Sequence, residues 1–104
     1  MRPSPSELDQ LLHSPKRLVA ISILDSVKEA EFTYLKKRLE ITESDLSKQM
    51  SKLVNADIVK VRKTGYGRNS STWYSLTTKG KKAYRNYITT LKKILNHTLT
   101  EHIE

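Results

Sequence analysis

Residues 59–76, VKVRKTGYGRNSSTWYSL, set the strongest limit on how this chain can fold. On either side of a glycine-bearing turn the residues alternate. Val59 and Val61 fall on one side and Lys60 and Arg62 on the other, then Tyr74 and Leu76 on one and Trp73 and Ser75 on the other. Alternation with period two makes a strand with one inward face. Two such runs about a glycine loop make a β-hairpin. Two residues such as Asn-Gly would close a hairpin, so this turn is longer than the fold requires. It carries Lys63 and Arg68, two glycines and no acid.

The chain before and after the hairpin reads mostly as helix. Ser6 followed by Asp9 resembles a capping box, with Leu8, Leu11 and Leu12 in a short amphipathic segment. Ser14 and Pro15 then start a helix, serine as N-cap and proline in the first turn, where its missing N–H costs nothing. That helix continues to about Val27, with Leu18, Ile21 and Leu24 inward. Residues 31–33 read as short and extended, and Thr33 is positioned to cap a second helix bearing Leu35 and Leu39. Thr42 with Asp45 three residues on approximates a capping box for a third helix. Its apolar stripe is Leu46, Met50, Leu53 and Val54, and the opposite side holds Ser44, Ser47, Lys48, Ser51, Lys52 and Asn55, with Gln49 on the flank. Thr77 or Thr78 caps a last helix from about Lys79 to about Leu99, roughly 30 Å long.

Helix, short strand, helix, turn, helix, hairpin and long helix in that order predict a mainly α chain with a small β-hairpin wing. The expected organisation is one domain over 1–104, its core at about 14–78 and its terminal helix at about 79–99. Two short helices about a tight turn, followed by a basic hairpin, describe a winged helix-turn-helix. In that architecture the third helix enters the major groove and the hairpin tip reaches flanking backbone or minor groove.

Charge distribution points the same way. Residues 1–57 hold nine Lys/Arg and nine Asp/Glu, whereas residues 58–95 hold ten Lys/Arg and no acid. One-signed charge over one region attracts polyanions. There are no cysteines, which removes disulfides and cysteine-ligated zinc and fits a reducing cytoplasm. The first residues show no signal-peptide pattern, and no apolar run approaches the ~20 residues that span a bilayer. A cytoplasmic protein with no membrane partner is expected. His13, His97 and His102 have no carboxylate or cysteine at ligand spacing, so no metal and no cofactor is expected. The sequence shows no nucleophile elbow and no phosphate-cradling glycine loop, which argues against an enzyme.

The stretch HSPKRLVAISIL, followed by residues 31–84 with TESDLSKQMSKLVNADIV, the glycine-containing wing and LTTKG, resembles the winged helix DNA-binding domain transcription regulators, relatives of the MarR and ArsR repressor groups. The resemblance covers roughly residues 13–95. It implies a small dimeric regulator with operator DNA as its partner. Two positions depart from the family pattern: Trp73 on the return strand, and Asp57 where glycine often ends the third helix.

The residues then sort into candidate roles. Ser44, Ser47, Lys48, Gln49, Ser51 and Lys52 are expected to meet DNA from the third helix, and Lys60, Arg62, Lys63, Tyr66 and Arg68 from the wing. The last helix carries apolar or aromatic residues at Ala83, Tyr84, Tyr87, Ile88, Leu91, Ile94, Leu95 and Leu99, a stripe wider than one intramolecular contact needs. Tyr87, Leu91, Ile94 and Leu95, with Leu8, Leu11 and Leu12, are the expected homodimer surface. Two other readings stay open from the residues alone: a winged helix that contacts an acidic protein, and one that grips A-form RNA.

Overall fold

Each helix begins where a side chain can satisfy its first free N–H groups, with one exception. The structure is a computed structural model that describes residues 9–103, with the side chains of residues 9–98. Helix α1 spans Pro15–Asp25, and the Ser14 hydroxyl accepts from the Arg17 N–H. Helix α3 spans Glu43–Asn55, and the Thr42 hydroxyl accepts from the Asp45 N–H at 3.1 Å. Helix α4 spans Thr78–Ile103, and the Thr77 hydroxyl accepts from the Gly80 N–H at 2.9 Å. The exception is α2, Phe32–Leu39, whose N-cap residue Glu31 makes no side-chain cap bond. The expectation that Thr33 caps this helix is corrected: α2 starts at Phe32, and the Thr33 hydroxyl donates to the Glu31 carboxylate instead. Leu8 and Ser6 lie outside the described residues.

The sheet has three antiparallel strands in the order β1-β3-β2. Strands β2, Val59–Thr64, and β3, Ser71–Leu76, form the hairpin, and β1, Ala30–Glu31, adds to its other edge. Val59 pairs with Leu76 and Val61 with Tyr74, while Lys60 pairs with Ser75 and Arg62 with Trp73. Alternation therefore sends Val59, Val61, Tyr74 and Leu76 to one face and Lys60, Arg62 and Trp73 to the other. Ala30 sits beside Tyr74 in the same sheet. The core closes over Val59, Tyr74 and Leu76 with Ile21 and Leu24 of α1, Leu35 of α2, and Leu46, Met50 and Leu53 of α3. Leu12 and Tyr87 complete it, both buried.

Three backbone devices join the elements at sharp angles. Helix α3 ends in a Schellman pattern: the Ile58 N–H donates to the Leu53 carbonyl and the Asp57 N–H to that of Val54. Asp57 takes the left-handed conformation this requires, at φ 60°. At the other end of the same short connection, a Cβ on Gly80 would lie 2.1 Å from the Ile58 carbonyl oxygen, so only glycine lets α4 pass this close to the start of β2. The Thr77 hydroxyl seals the corner by donating to the Asp57 carbonyl at 2.6 Å. In the wing, Gly65 sits at φ 75°, and a Cβ there would be 2.3 Å from the Asn69 carbonyl oxygen.

Opposite effects are expected at these two ends of one corner. Gly80→Ala should destabilise the fold by about 1–3 kcal/mol, because two backbones must separate. Asp57→Gly should stabilise it by up to about 1 kcal/mol by relieving a left-handed non-glycine residue. Urea unfolding followed by circular dichroism checks both signs.

Candidate nucleic-acid interface

The outward side of α3 is set by what its inward side holds. Leu46, Met50 and Leu53 are buried, and so is Gln49, at 8% exposure. Its side-chain carbonyl accepts from Arg17 Nη1 at 2.6 Å, and its amide donates to Asp45 Oδ1 at 2.9 Å. Arg17 Nε also donates to the Leu11 carbonyl at 2.7 Å. The other oxygen of Asp45 pairs with Lys16. One connected set of bonds thus ties the segment before α1, α1 itself and α3 together. Gln49, expected to meet DNA, is corrected to a packing residue. The physical reason is its spacing: residues 46, 49, 50 and 53 form one i, i+3, i+4, i+7 stripe, and Arg17 supplies the charge-assisted bond that lets an amide sit there. Asp45 is also turned from a capping role toward this network.

The remaining α3 candidates, Ser44, Ser47, Lys48, Ser51 and Lys52, are all exposed. Asn55 is exposed on the same side and joins them, a position assigned to this face by its helical spacing. Between this side and the hairpin runs a shallow channel of about 200 Å³, lined by Ser51, Val54, Asn55, Val61 and Lys63 with Met50 and Tyr74 at its floor. Val61, 43% exposed, is an apolar contact that the sequence reading assigned to the interior. Its strand alternation placed it correctly, but the last turn of α3 does not reach far enough to cover it.

The wing cations divide between two faces. Lys63 shares the channel with α3. Lys60 and Arg62 lie on the opposite face of the hairpin, by the register of β2 against β3. Arg62 is committed there: its guanidinium makes a two-pronged contact to Glu29, at 2.9 and 2.8 Å, and lies over the Trp73 ring at 5.6 Å. The bond from Arg62 holds the Glu29 carboxyl below the usual carboxylate range, and the same bond raises the guanidinium further. Arg62, expected to meet DNA, is exposed and in this structure ties the hairpin to the loop before β1. A sequence signal existed in Trp73 and Arg62 at facing strand positions, but the pairing with Glu29, 33 residues away, has no local mark. Arg68 sits in the short 3₁₀ turn Gly67–Asn69 at the tip, and Tyr66 beside it is 93% exposed.

The expected dimer residues also separate. Leu12 and Tyr87 are interior, and Tyr87 is held by a 2.7 Å hydrogen bond between its hydroxyl and His13 Nδ1. They are corrected from an assembly surface to core. Leu11 and Leu91 pack partly against that core. Ile94 is half-buried and Leu95 is 53% exposed.

A family model described as a winged helix DNA-binding domain matches residues 16–95. The chain belongs to the winged helix DNA-binding domain family. An uncharacterized protein of Methanocaldococcus jannaschii is 29% identical over 79 residues, which are 76% of this chain and 86% of that one. Among solved structures, a transcriptional regulator homologue from Pyrococcus horikoshii OT3 superposes with a TM-score of 0.80 at 22% identity, covering 86% of this chain and 89% of its own. HlyU from Vibrio cholerae N16961 superposes with a TM-score of 0.63 at 25% identity, covering 73% and 78%. The fold is thus the winged helix, shared with these solved structures. Among the described residues no group of histidine, aspartate and glutamate side chains could hold a metal ion. No helix among them is long and apolar enough to cross a membrane.

Two measurements check the assignments within this winged helix. Gln49→Ala should cost about 1–3 kcal/mol of folding stability, because the part-buried Arg17 guanidinium loses an acceptor. The pH dependence follows from two carboxyls. The bond from Lys16, then that from Gln49, holds Asp45 below its usual range, and Arg62 does the same to Glu29. A carboxyl lowered in the folded state stabilises above its unfolded value, about 4, and that contribution is lost as pH falls below it. The melting temperature should therefore drop on acidification below about pH 4, and drop less in Glu29→Gln.

Proposed function

We propose that this winged helix is a sequence-specific transcription regulator of double-stranded DNA that acts as a homodimer inside the cell. The observation that carries this reading is the shared side of α3 and the hairpin. Ser44, Ser47, Lys48, Ser51, Lys52 and Asn55 are exposed on it together with Lys63, next to the tip that holds Arg68. Serine and asparagine can donate and accept at base edges, and the lysines can reach phosphates. Thr42 and Ser44 lie at the amino end of α3, where free N–H groups and the helix dipole favour an anion. In the complex, α3 lies in the major groove and the wing follows the flanking backbone. Occupying a promoter in this way changes access to it.

The dimer reading rests on α4. The helix continues to Ile103, past the last of its residues that pack on the core, and exposes Leu95 there. A two-fold pairing through Ile94 and Leu95 would cover that surface and set two α3 helices about one turn of DNA apart.

Anisotropy with duplex DNA, duplex RNA and a scrambled competitor tests the reading. A dimer using both α3 helices and both wings should give a log–log salt slope of about −5 to −9. Arg68→Ala should lower affinity by a similar factor on every sequence and make the slope shallower by roughly 1 per subunit. Ser47→Ala should cost about 1 kcal/mol on a preferred sequence and little on others. Leu95→Arg should yield monomers by sedimentation and weaken binding to paired half-sites. A slope near zero, or RNA preferred over DNA, contradicts the proposal.

A further inference from the structure

The side of α4 turned away from the core carries Lys81, Lys82, Arg85, Lys92 and Lys93, all exposed, with Thr89 between them. At 3.6 residues per turn these positions form one stripe, opposite Tyr87 and Leu91, which pack inward. From Ile58 to Thr100 the chain has no acid. Arg85 comes within 3.9 Å of Asp25, a loose contact at the surface, and no other ion pair ties the stripe among the described residues.

This arrangement works against the helix. Lys81 closes the first turn, where the dipole disfavours cations, and Lys82 follows it directly. Arg85 follows Lys81 by four residues and Lys82 by three, spacings at which like charges repel. Glutamate at some of these positions would serve both stability and solubility better. The stripe also lacks any apolar or aromatic residue, whereas protein interfaces are centred on such anchors. Measured from Lys81 to Lys93 it is roughly 18 Å long, the length of about ten duplex phosphate charges. Helix α4 packs on β3, whereas α3 packs on α1, α2 and β2, so the two helices cover different parts of the core.

We propose that this stripe is a second DNA-binding face, holding the phosphates of another duplex segment while α3 and the wing hold the first, so that the protein joins two stretches of DNA. The proposal rests on the reading that α3 and the wing bind duplex DNA. The attraction is to phosphate and carries no sequence preference.

A bridging assay tests it with the full chain and two random duplexes of about 20 base pairs, long enough for two half-sites. One duplex is fixed to beads, and the other is fluorescent. Wild-type protein should carry the fluorescent duplex onto the beads at low salt. The stripe variant Lys81→Gln/Arg85→Gln/Lys92→Gln/Lys93→Gln should lose that transfer by about tenfold or more, while its affinity for one duplex at limiting concentration falls about threefold or less. Its melting temperature should equal or exceed that of the wild type, which excludes misfolding as the cause. The α3–wing variant Lys48→Gln/Lys63→Gln/Arg68→Gln should instead lose single-duplex affinity. Transfer that persists in the stripe variant overturns the proposal, since two α3 faces of a dimer would then each hold a duplex. A wild type that binds one duplex and never bridges also overturns it, and leaves the proposed regulator standing. If the stripe binds polyglutamate but not DNA, its partner is an acidic protein and the proposal fails. Wild type with no affinity for any duplex defeats the regulator reading itself.

Discussion

Arg17 reaches from α1 to the side-chain carbonyl of Gln49 on α3, and its other edge takes the carbonyl of Leu11. A guanidinium has a fixed fork of donors, so satisfying two acceptors on different segments fixes their relative rotation as well as their distance. Gln49 then passes the constraint along α3 to Asp45, and Asp45 to Lys16 back on α1. Rotating α3 about its axis would bury Ser47 or Lys48 and strand this network without partners, a cost that apolar packing alone would not impose. The polar side of α3 faces outward because its partly polar inner side is bonded in place.

The second constraint lies at the other end of the same helix. Asp57 turns the chain back, Ile58 leads into β2, and α4 begins against the Ile58 carbonyl with only the hydrogen of Gly80 between them. Lys79 adds a bond to the Ala56 carbonyl at 3.1 Å, meeting the negative end of α3. Helix α3, the hairpin and α4 therefore diverge from a corner of a few residues. Small errors there would be magnified along α4, which at 26 residues is the longest lever among the described elements.

Much of this was legible because it depends on local chemistry. Ser14, Thr42 and Thr77 each sit three residues before an N–H that needs an acceptor, and strand alternation placed Tyr74 inward against Val61. What failed depended on partners distant in sequence. Gln49 looked like a surface amide because its partner, Arg17, lies 32 residues back. Arg62 looked like a free wing cation because Glu29 belongs to a loop the hairpin meets only in the folded chain. Tyr87 fitted an outward stripe, but its ring is buried and its hydroxyl is bonded to His13 at the edge of the core. Short apolar spacing shows which side of a helix is sticky, but not which of those residues the domain itself covers.

No acid lies between Ile58 and Thr100, which leaves Lys63 and Arg68 without a neighbour along the chain that competes for an anion. Two side-chain amides report directly which polar groups of α3 face outward. In a ¹H–¹⁵N spectrum, adding duplex DNA should shift the side-chain amide of exposed Asn55 and leave that of Gln49, held by Asp45 and Arg17, in place. A large shift at Gln49 with none at Asn55 would contradict this orientation of α3, because the helix would then present its other side to DNA.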